Sequence, residues 1–549
     1  MSMTGRRFGA ALVLTILGFA AAHLSAQNNS QFRDWKASAL SGGGGAGPAV
    51  GCASLVSLTG YEFSILSATV MPGSADAPEY CRVSGLIQPE VRFEVNLPTS
   101  WNGRLYMFGN GGYAGEALDA PARLTTARRA LARGFAAVQT NTGHDAAAEP
   151  LGSFAQSPQK FADYASRAVH VTVVTAKRVL QAYYNAPPRH AYWDGCSTGG
   201  RQGLIEAQRF PDDFDGVLAG APVLDFSGTM ISYSAIQRSL AAASLPPAKL
   251  RLLSDAVYAK CDAADGLKDG VIDDPRACGF SPAADLPRCS GDADAADCFT
   301  SSQARALESV YAVVRRGGSD FFPGWPAGAE TSAAAGGPSG WLPWFVVPAG
   351  APAGGRPIQA NFGETFFRFM AFGAPKPQYD WLTFNLETDL DKIEPARALL
   401  DATNPDLSRF KARGGKMITY FGWADPALNP LMGVRYYESV MRLGGSSTAD
   451  FYRLFMVPGM FHCGGGIGTS VFDAFTPLVE WVEKGTAPQT IAAARVVDGK
   501  TVRSRPLCPY PQVAKYKGTG SVDETANFSC AAPAPRSSAG AARGPASRP

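Results

Sequence analysis

Residues 190–202, His190-Ala191-Tyr192-Trp193-Asp194-Gly195-Cys196-Ser197-Thr198-Gly199-Gly200-Arg201-Gln202, decide the fold. The run from His190 to Asp194 is β-prone. Gly195-Cys196-Ser197-Thr198-Gly199 follows, and Arg201 to Phe210 reads as a helix. A G-x-S-x-G on its own also occurs in plain Ser/Gly loops. Between a strand and a helix it reads as a nucleophile elbow, the sharp turn that lifts a serine hydroxyl clear of an α/β-hydrolase sheet. Glycines are needed there because the turn is strained and backbones lie close together. The expected fold class is therefore α/β, an α/β-hydrolase core, with Ser197 as its nucleophile.

On this topology the chain order is serine, then acid, then histidine. Of the five histidines, His23, His144, His170, His190 and His462, only His462 follows Ser197. It comes after a β-prone run, Phe451 to Val457, and the turn Pro458-Gly459-Met460-Phe461. That is a loop at the carboxyl end of a strand, where a general base belongs. The acid should lie between the two. Met417-Ile418-Thr419-Tyr420-Phe421 reads as a buried strand, and Gly422-Trp423-Ala424-Asp425-Pro426 as its exit loop. Asp425 is preferred over Asp401 and Asp406, which sit in an Asn/Pro-rich turn region, and over Glu438, which reads as a solvated helix face.

Cys196 directly precedes Ser197 and Cys463 directly follows His462. If Ser197 and His462 meet, their neighbours are forced close, within the roughly 4.4–6.8 Å between Cα atoms that a disulfide needs. A Cys196–Cys463 bridge would staple the elbow to the histidine loop. Two unrelated buried cysteines are the alternative.

Gly-Cys-Ser-Thr-Gly-Gly-Arg, the Trp-Ala-Asp loop and Gly-Met-Phe-His-Cys-Gly-Gly resemble the tannase and feruloyl esterase family, which also holds an enzyme that hydrolyses mono(2-hydroxyethyl) terephthalate. The resemblance runs from about Gly51 to about Cys530. It implies an α/β-hydrolase core with a large inserted lid domain, a structural calcium ion and several disulfides. Cys52/Cys81, Cys261/Cys278, Cys289/Cys298 and Cys508/Cys530 are neighbours along the chain, and with Cys196/Cys463 they exhaust the ten cysteines. The four local pairings match what the resemblance implies. Spacing alone leaves connectivity open. A zinc site is the competing use of cysteine, but no C-x-x-C pair is present.

Arg6 and Arg7, an apolar run from Phe8 to Ala22 and small residues around Ala22 to Ala26 read as a secretory signal, residues 1–26. The run is shorter than the roughly 20 residues that span a bilayer. Export, to a secreted or periplasmic location, would make disulfides permissible. Net charge is +3, and no basic stripe argues for nucleic acid. No membrane partner is expected once the signal is removed.

The expected domains are the first part of the core, 27–223, a lid, 224–394, the second part of the core, 395–530, and a disordered Ala/Pro/Ser/Arg tail, 531–549. Strands are expected around Glu90–Leu97, Leu105–Phe108 and Phe135–Thr140, and a long helix from Phe161 to Tyr184, on which His170 reads as a packing residue. From Leu224 the pattern turns irregular, rich in Ala, Gly, Pro and Trp. An insertion there leaves the order of the three candidate residues intact.

Gly109-Asn110-Gly111-Gly112-Tyr113 follows the Leu105–Phe108 strand and resembles the glycine-rich loop that supplies an oxyanion N–H. The resemblance makes Gly112 the donor, with Gly111 as the fallback. The second N–H should be that of Thr198. Between Cys261 and Cys278, closely spaced carboxylates and glycines suit a hard cation, calcium better than magnesium. The D-x-x-D spacing is not that of an EF-hand. The resemblance puts the ligands at Asp262, Asp265 and Asp269 and the carbonyls of Leu267 and Val271, a structural role for Ca2+.

These residues point to a secreted serine esterase acting on esters of aromatic acids: feruloyl, galloyl or terephthalate monoesters. A binding protein on a catalytically dead hydrolase scaffold and a peptidase on the same core are the alternatives. The insertion carries Phe321, Phe322, Trp325, Trp341, Trp344, Phe345, Phe366, Phe367, Phe369 and Trp381. Most should be core of the insertion, with some left to wall a planar aryl acid. Arg368 could meet a substrate carboxylate, though a surface role is preferred for it.

Overall fold

The computed structural model describes residues 46–243, 245–330, 340–348, 350–352 and 354–533. The expected signal peptide and nearly all of the expected tail lie outside the described residues. Nine strands form the main sheet: β1 (Phe63–Met71), β2 (Tyr80–Ile87), β3 (Val91–Pro98), β4 (Arg104–Phe108), β5 (Ala136–Thr140), β6 (His190–Cys196), β7 (Gly216–Gly220), β8 (Lys416–Gly422) and β9 (Tyr452–Val457). Their order is β1-β2-β3-β5-β4-β6-β7-β8-β9. From β5 to β9 every pair is parallel, and β1 to β3 add an antiparallel flank. This is the α/β-hydrolase core that the elbow motif predicts.

Parallel strands covered on both faces are buried throughout, and β4, β5 and β7 are, as is β6 after His190. Alternation sends odd and even side chains to opposite layers. Leu105, Met107, Trp193 and Val217 pack under the helices Ala168–Tyr184 and Thr198–Arg209. Tyr106, Phe108, Tyr192 and Leu218 pack under Pro121–Leu131 and Phe475–Lys484.

The expected long helix from Phe161 is interrupted. Pro158–Ala162 is α-helical, Asp163–Arg167 makes a π-helical turn, and Ala168–Tyr184 continues as α-helix. Asp163, buried in that turn, accepts hydrogen bonds from Gln159 and Arg167 on either side. Insertion of one extra residue per turn is a local adjustment that periodicity does not reveal.

The chain leaves the sheet after β7 and returns at β8. In between lie helices such as Phe226–Ala243, Lys249–Cys261 and Ser301–Tyr311 and a hairpin of Val314–Arg316 with Ser319–Phe322. Their apolar side chains, among them Phe226, Leu253, Trp325 and Trp381, join the same continuous core as Trp193 and Leu204 of the sheet and elbow helix. After β9 the chain adds a three-stranded sheet (Val471–Phe472, Ile491–Val497, Lys500–Leu507) and a two-stranded one (Val513–Tyr516, Phe528–Ala531).

Among the described residues no cysteine is free. The bridges are Cys52–Cys81, Cys196–Cys463, Cys261–Cys278, Cys289–Cys298 and Cys508–Cys530.

Candidate active site

Ser197 stands between the end of β6 and the helix Thr198–Arg209, with φ 64° and ψ −121°. A non-glycine residue at positive φ is strained, and such strain is held only where the surroundings over-determine it. Here they do. The Ser197 N–H donates to Gly220 O at 3.0 Å, and its carbonyl accepts from Arg201 N at 3.0 Å. Trp193, fully buried, donates from its indole to Gly199 O at 3.0 Å and fixes the first turn of the helix. The glycines are required by space: a Cβ on Gly195 would come within 2.6 Å of Gly199, and one on Gly109 within 2.6 Å of the Gly199 Cα.

His462 follows β9 and Asp425 follows β8, so both come from carboxyl ends of neighbouring strands. His462 Nδ1 lies 2.8 Å from Asp425 Oδ2. The other carboxylate oxygen, Oδ1, accepts from the N–H groups of Ala427 (2.8 Å) and Leu428 (2.9 Å). The Asp425 side chain is fully buried, so these three bonds satisfy a charge that solvent does not reach. His462 Nε2 is buried and has no hydrogen-bond partner. A bond to Ser197 is therefore not formed in this structure; such contacts commonly tighten only once substrate is bound. The elbow and the histidine loop are nevertheless joined. Cys196 and Cys463 are bridged with Cα atoms 6.0 Å apart.

The other acids weighed for this role are engaged elsewhere. Asp401 accepts from the Ser227 N–H and hydroxyl, Glu438 from the Tyr510 hydroxyl, and Asp406 from Ser408 N.

In the glycine loop the two candidate donors separate cleanly. The Gly111 N–H is taken by Glu116 Oε1 at 2.6 Å. No hydrogen bond from the N–H of Gly112, or of Thr198, is formed among the described residues. Their spacing is held by side chains that the sequence reading did not single out: the Thr198 hydroxyl donates to Gly112 O, and so does the Tyr164 hydroxyl, at 3.3 Å. Tyr164 sits in the π-helical turn.

Of the ten aromatics in the insertion, Phe322, Trp325, Trp341, Phe345, Phe366, Phe367 and Trp381 are buried core. Trp344 is partly exposed and meets His462 edge to face, centroids 5.8 Å apart at 76°. It stacks parallel to Phe362, which in turn meets Tyr113 of the glycine loop. Arg368 is ion-paired to Glu364 at 2.8 Å.

In the acidic loop, Gly266 and Gly270 take φ +93° and +79° with open space around them, so the backbone and not crowding calls for glycine. Asp262 Oδ1 accepts from Asp269 N and Gly270 N, and Asp265 Oδ1 from Leu267 N. Asp265, exposed at its surface but hemmed in by the loop, is pushed up to about 6 by desolvation and by Asp269 and Asp262, and Asp273 to about 8 by burial and by Asp265 and Asp269. Arg505 meets Asp269 Oδ2 at 2.6 Å. The donors fit a hard cation in kind, all oxygen, although Asp269 is already paired with Arg505 and Arg503 and the three carboxylates do not converge within 4.8 Å of one another.

The family model "Tannase and feruloyl esterase" matches residues 76–531. An uncharacterized esterase of Xanthomonas campestris pv. campestris is 35% identical over 538 residues, covering 87% of this chain and 91% of its own. The mono(2-hydroxyethyl) terephthalate hydrolase of Piscinibacter sakaiensis is 35% identical over 528 residues, covering 85% and 87%. The crystal structure of feruloyl esterase B from Aspergillus oryzae superposes with a TM-score of 0.74 at 28% identity, covering 87% of this chain and 99% of that one.

Proposed function

We propose, from the premise that this chain belongs to the tannase and feruloyl esterase family and is a carboxylic ester hydrolase, that it cleaves esters of planar aromatic acids through an acyl-enzyme on Ser197. Ser197 attacks the ester carbonyl as His462 Nε2 takes its proton. The same imidazolium then protonates the leaving alcohol, and water, activated by His462, frees the acid. Asp425 holds the Nδ1–H tautomer and balances the charge that His462 acquires. The N–H groups of Gly112 and Thr198 receive the oxyanion, where fixed dipoles in a dry site cost no reorganisation.

The observation that carries this reading is the His462 Nδ1–Asp425 pair with Nε2 left unpaired, on a loop bridged to the residue before Ser197. For the substrate, support comes from Trp344, the part-exposed aromatic that meets His462, and from relatives named for feruloyl and terephthalate esters. A part-exposed aromatic beside the general base favours an aryl acid. Export is proposed from residues 1–26 and agrees with five disulfides. Among the described residues no helix is long and apolar enough to cross a membrane.

A calcium ion, held by Asp262, Asp265 and Asp269 and the carbonyls of Leu267 and Val271, is proposed as a structural element. It would supply positive charge to acids that otherwise raise one another's proton affinity.

The test is steady-state hydrolysis of methyl ferulate, methyl gallate and an aliphatic ester of similar size, by the native protein and by Ser197→Ala. The native protein should show higher kcat/KM for an aromatic ester. Folded Ser197→Ala should lose turnover by on the order of 10⁴-fold or more. Substantial turnover in that variant overturns the mechanism. Preference for the aliphatic ester overturns the substrate class alone.

A further inference from the structure

The helix that Ser197 starts ends in a second concentration of chemistry. Glu206 in its last turns, His170 on Ala168–Tyr184 and Asp213 in the loop before β7 bring one imidazole nitrogen and two carboxylate oxygens within 4.8 Å of one another. Among the described residues this is the one such trio. His170 Nδ1 lies 2.6 Å from Asp213 Oδ2. Its ring stacks on Phe210 with centroids 4.1 Å apart, which holds its orientation, and its side chain is 35% exposed, which leaves a path from solvent.

Glu206 gives the cluster its meaning. It is 1% exposed, and neither carboxylate oxygen has a hydrogen-bond partner. A buried acceptor left unpaired is costly. Burial, and the Asp213 charge beside it, push its proton affinity well above the ordinary carboxylate range. Lys177 nearby offsets this only in part, and its Nζ is committed to the main-chain oxygens of Asp212 and Asp213. The trio is also separate from the chemistry at Ser197. Glu206 is nine positions further along the same helix, roughly 13 Å at 1.5 Å per residue.

We propose that His170, Glu206 and Asp213 form a binding site for a transition-metal dication, with Zn2+ the best match. One imidazole nitrogen and two carboxylate oxygens with an open side toward solvent suit a four-coordinate ion completed by water. The two carboxylates balance its charge. The ion would tie together three segments behind the elbow: the helix bearing His170, the end of the Ser197 helix, and the loop entering β7.

The experiment uses the full protein, stripped with chelator, resupplied with Ca2+ and titrated with ZnCl2 by calorimetry. A parallel titration with CoCl2 follows the visible d–d absorption of the bound ion. One stoichiometric site of micromolar affinity or better is expected, with a cobalt band of four-coordinate intensity and a Tm that rises with Zn2+. His170→Gln and Glu206→Gln should each weaken binding by at least about tenfold and remove the band. Glu206→Gln keeps the side chain's shape and makes it neutral, so loss of folding is not expected to obscure the result. His462 is another imidazole that zinc could reach, and the site should persist in His462→Ala. No zinc binding in the micromolar range, or binding unchanged in both ligand variants, overturns the proposal.

Discussion

Asp425 shows how much a single carboxylate can be made to specify. Its Oδ1 is committed to the Ala427 and Leu428 N–H groups, so only Oδ2 is free to face His462. Asp425→Asn should keep its carbonyl oxygen on those two donors and turn its NH2 toward Nδ1. The imidazole would then carry its proton on Nε2, where it cannot accept one from Ser197. A fall in kcat of about 10⁴-fold is expected, with circular dichroism unchanged. A loss under about tenfold would remove Asp425 from the mechanism. Ser197, His462 and Asp425 could be picked out in the chain because each lies beside strong local punctuation, a glycine elbow or a strand exit. Tyr164 could not, because its contact with Gly112 O crosses 52 residues of sequence and depends on a π-helical turn. Thr198 was readable only as a backbone donor. Its hydroxyl, bonded to Gly112 O, adds a brace between the two loops that no motif states.

At the level of elements, the parallel strands were legible as short apolar β-prone runs, and the observed bounds lie within one or two residues of the expected ones at β3 to β5 and at β8. The insertion was legible only as a change of composition, and its helices pack into the sheet's own core. One of its residues carries a measurable electrostatic cost. Glu330 is fully buried, accepts from the Tyr311 hydroxyl and the Gly328 N–H, and is pushed up to about 7 by burial. Its folded-state value lies above the unfolded one of about 4.3. Its contribution is therefore fully present below about pH 4 and is lost as pH rises through 7. Glu330→Gln should leave Tm nearly unchanged at acid pH and raise it relative to native at pH 8, by the equivalent of about 3–4 kcal/mol at most. A Tm difference that does not grow with pH would contradict this.

For the whole molecule, stability is expected to depend on calcium. A ligand bound by the folded state alone adds free energy that grows with the logarithm of its concentration. Chelation should lower Tm by a few degrees and added Ca2+ should restore it. Asp265→Ala should melt early without chelator and respond to neither treatment. Absence of calcium from the purified protein by elemental analysis would refute the assignment. The C-terminal sheets, formed by Val471–Phe472, Ile491–Val497, Lys500–Leu507 and the Val513–Tyr516 and Phe528–Ala531 pair, carry this loop's partners, since Arg503 and Arg505 both reach Asp269. The sequence reading placed this region in the core without seeing it as separate sheets. Its strands are half-exposed and mixed in pattern, so no clean alternation marked them.

The Cys196–Cys463 bridge also changes what kind of object the chain is. It spans 267 positions and closes the elbow helix, β7, the whole insertion, β8 and β9 into one covalent ring, whose seam lies beside the candidate nucleophile and base. A single peptide cut anywhere within that ring opens the backbone without dividing the molecule. The two fragments would still migrate together until a reductant separates them. Exposed turns in the insertion could thus be clipped by the proteases of an oxidising environment while Ser197 and His462 stay tethered at their seam. Integrity of the esterase would then be governed by redox state before it is governed by the intactness of its chain.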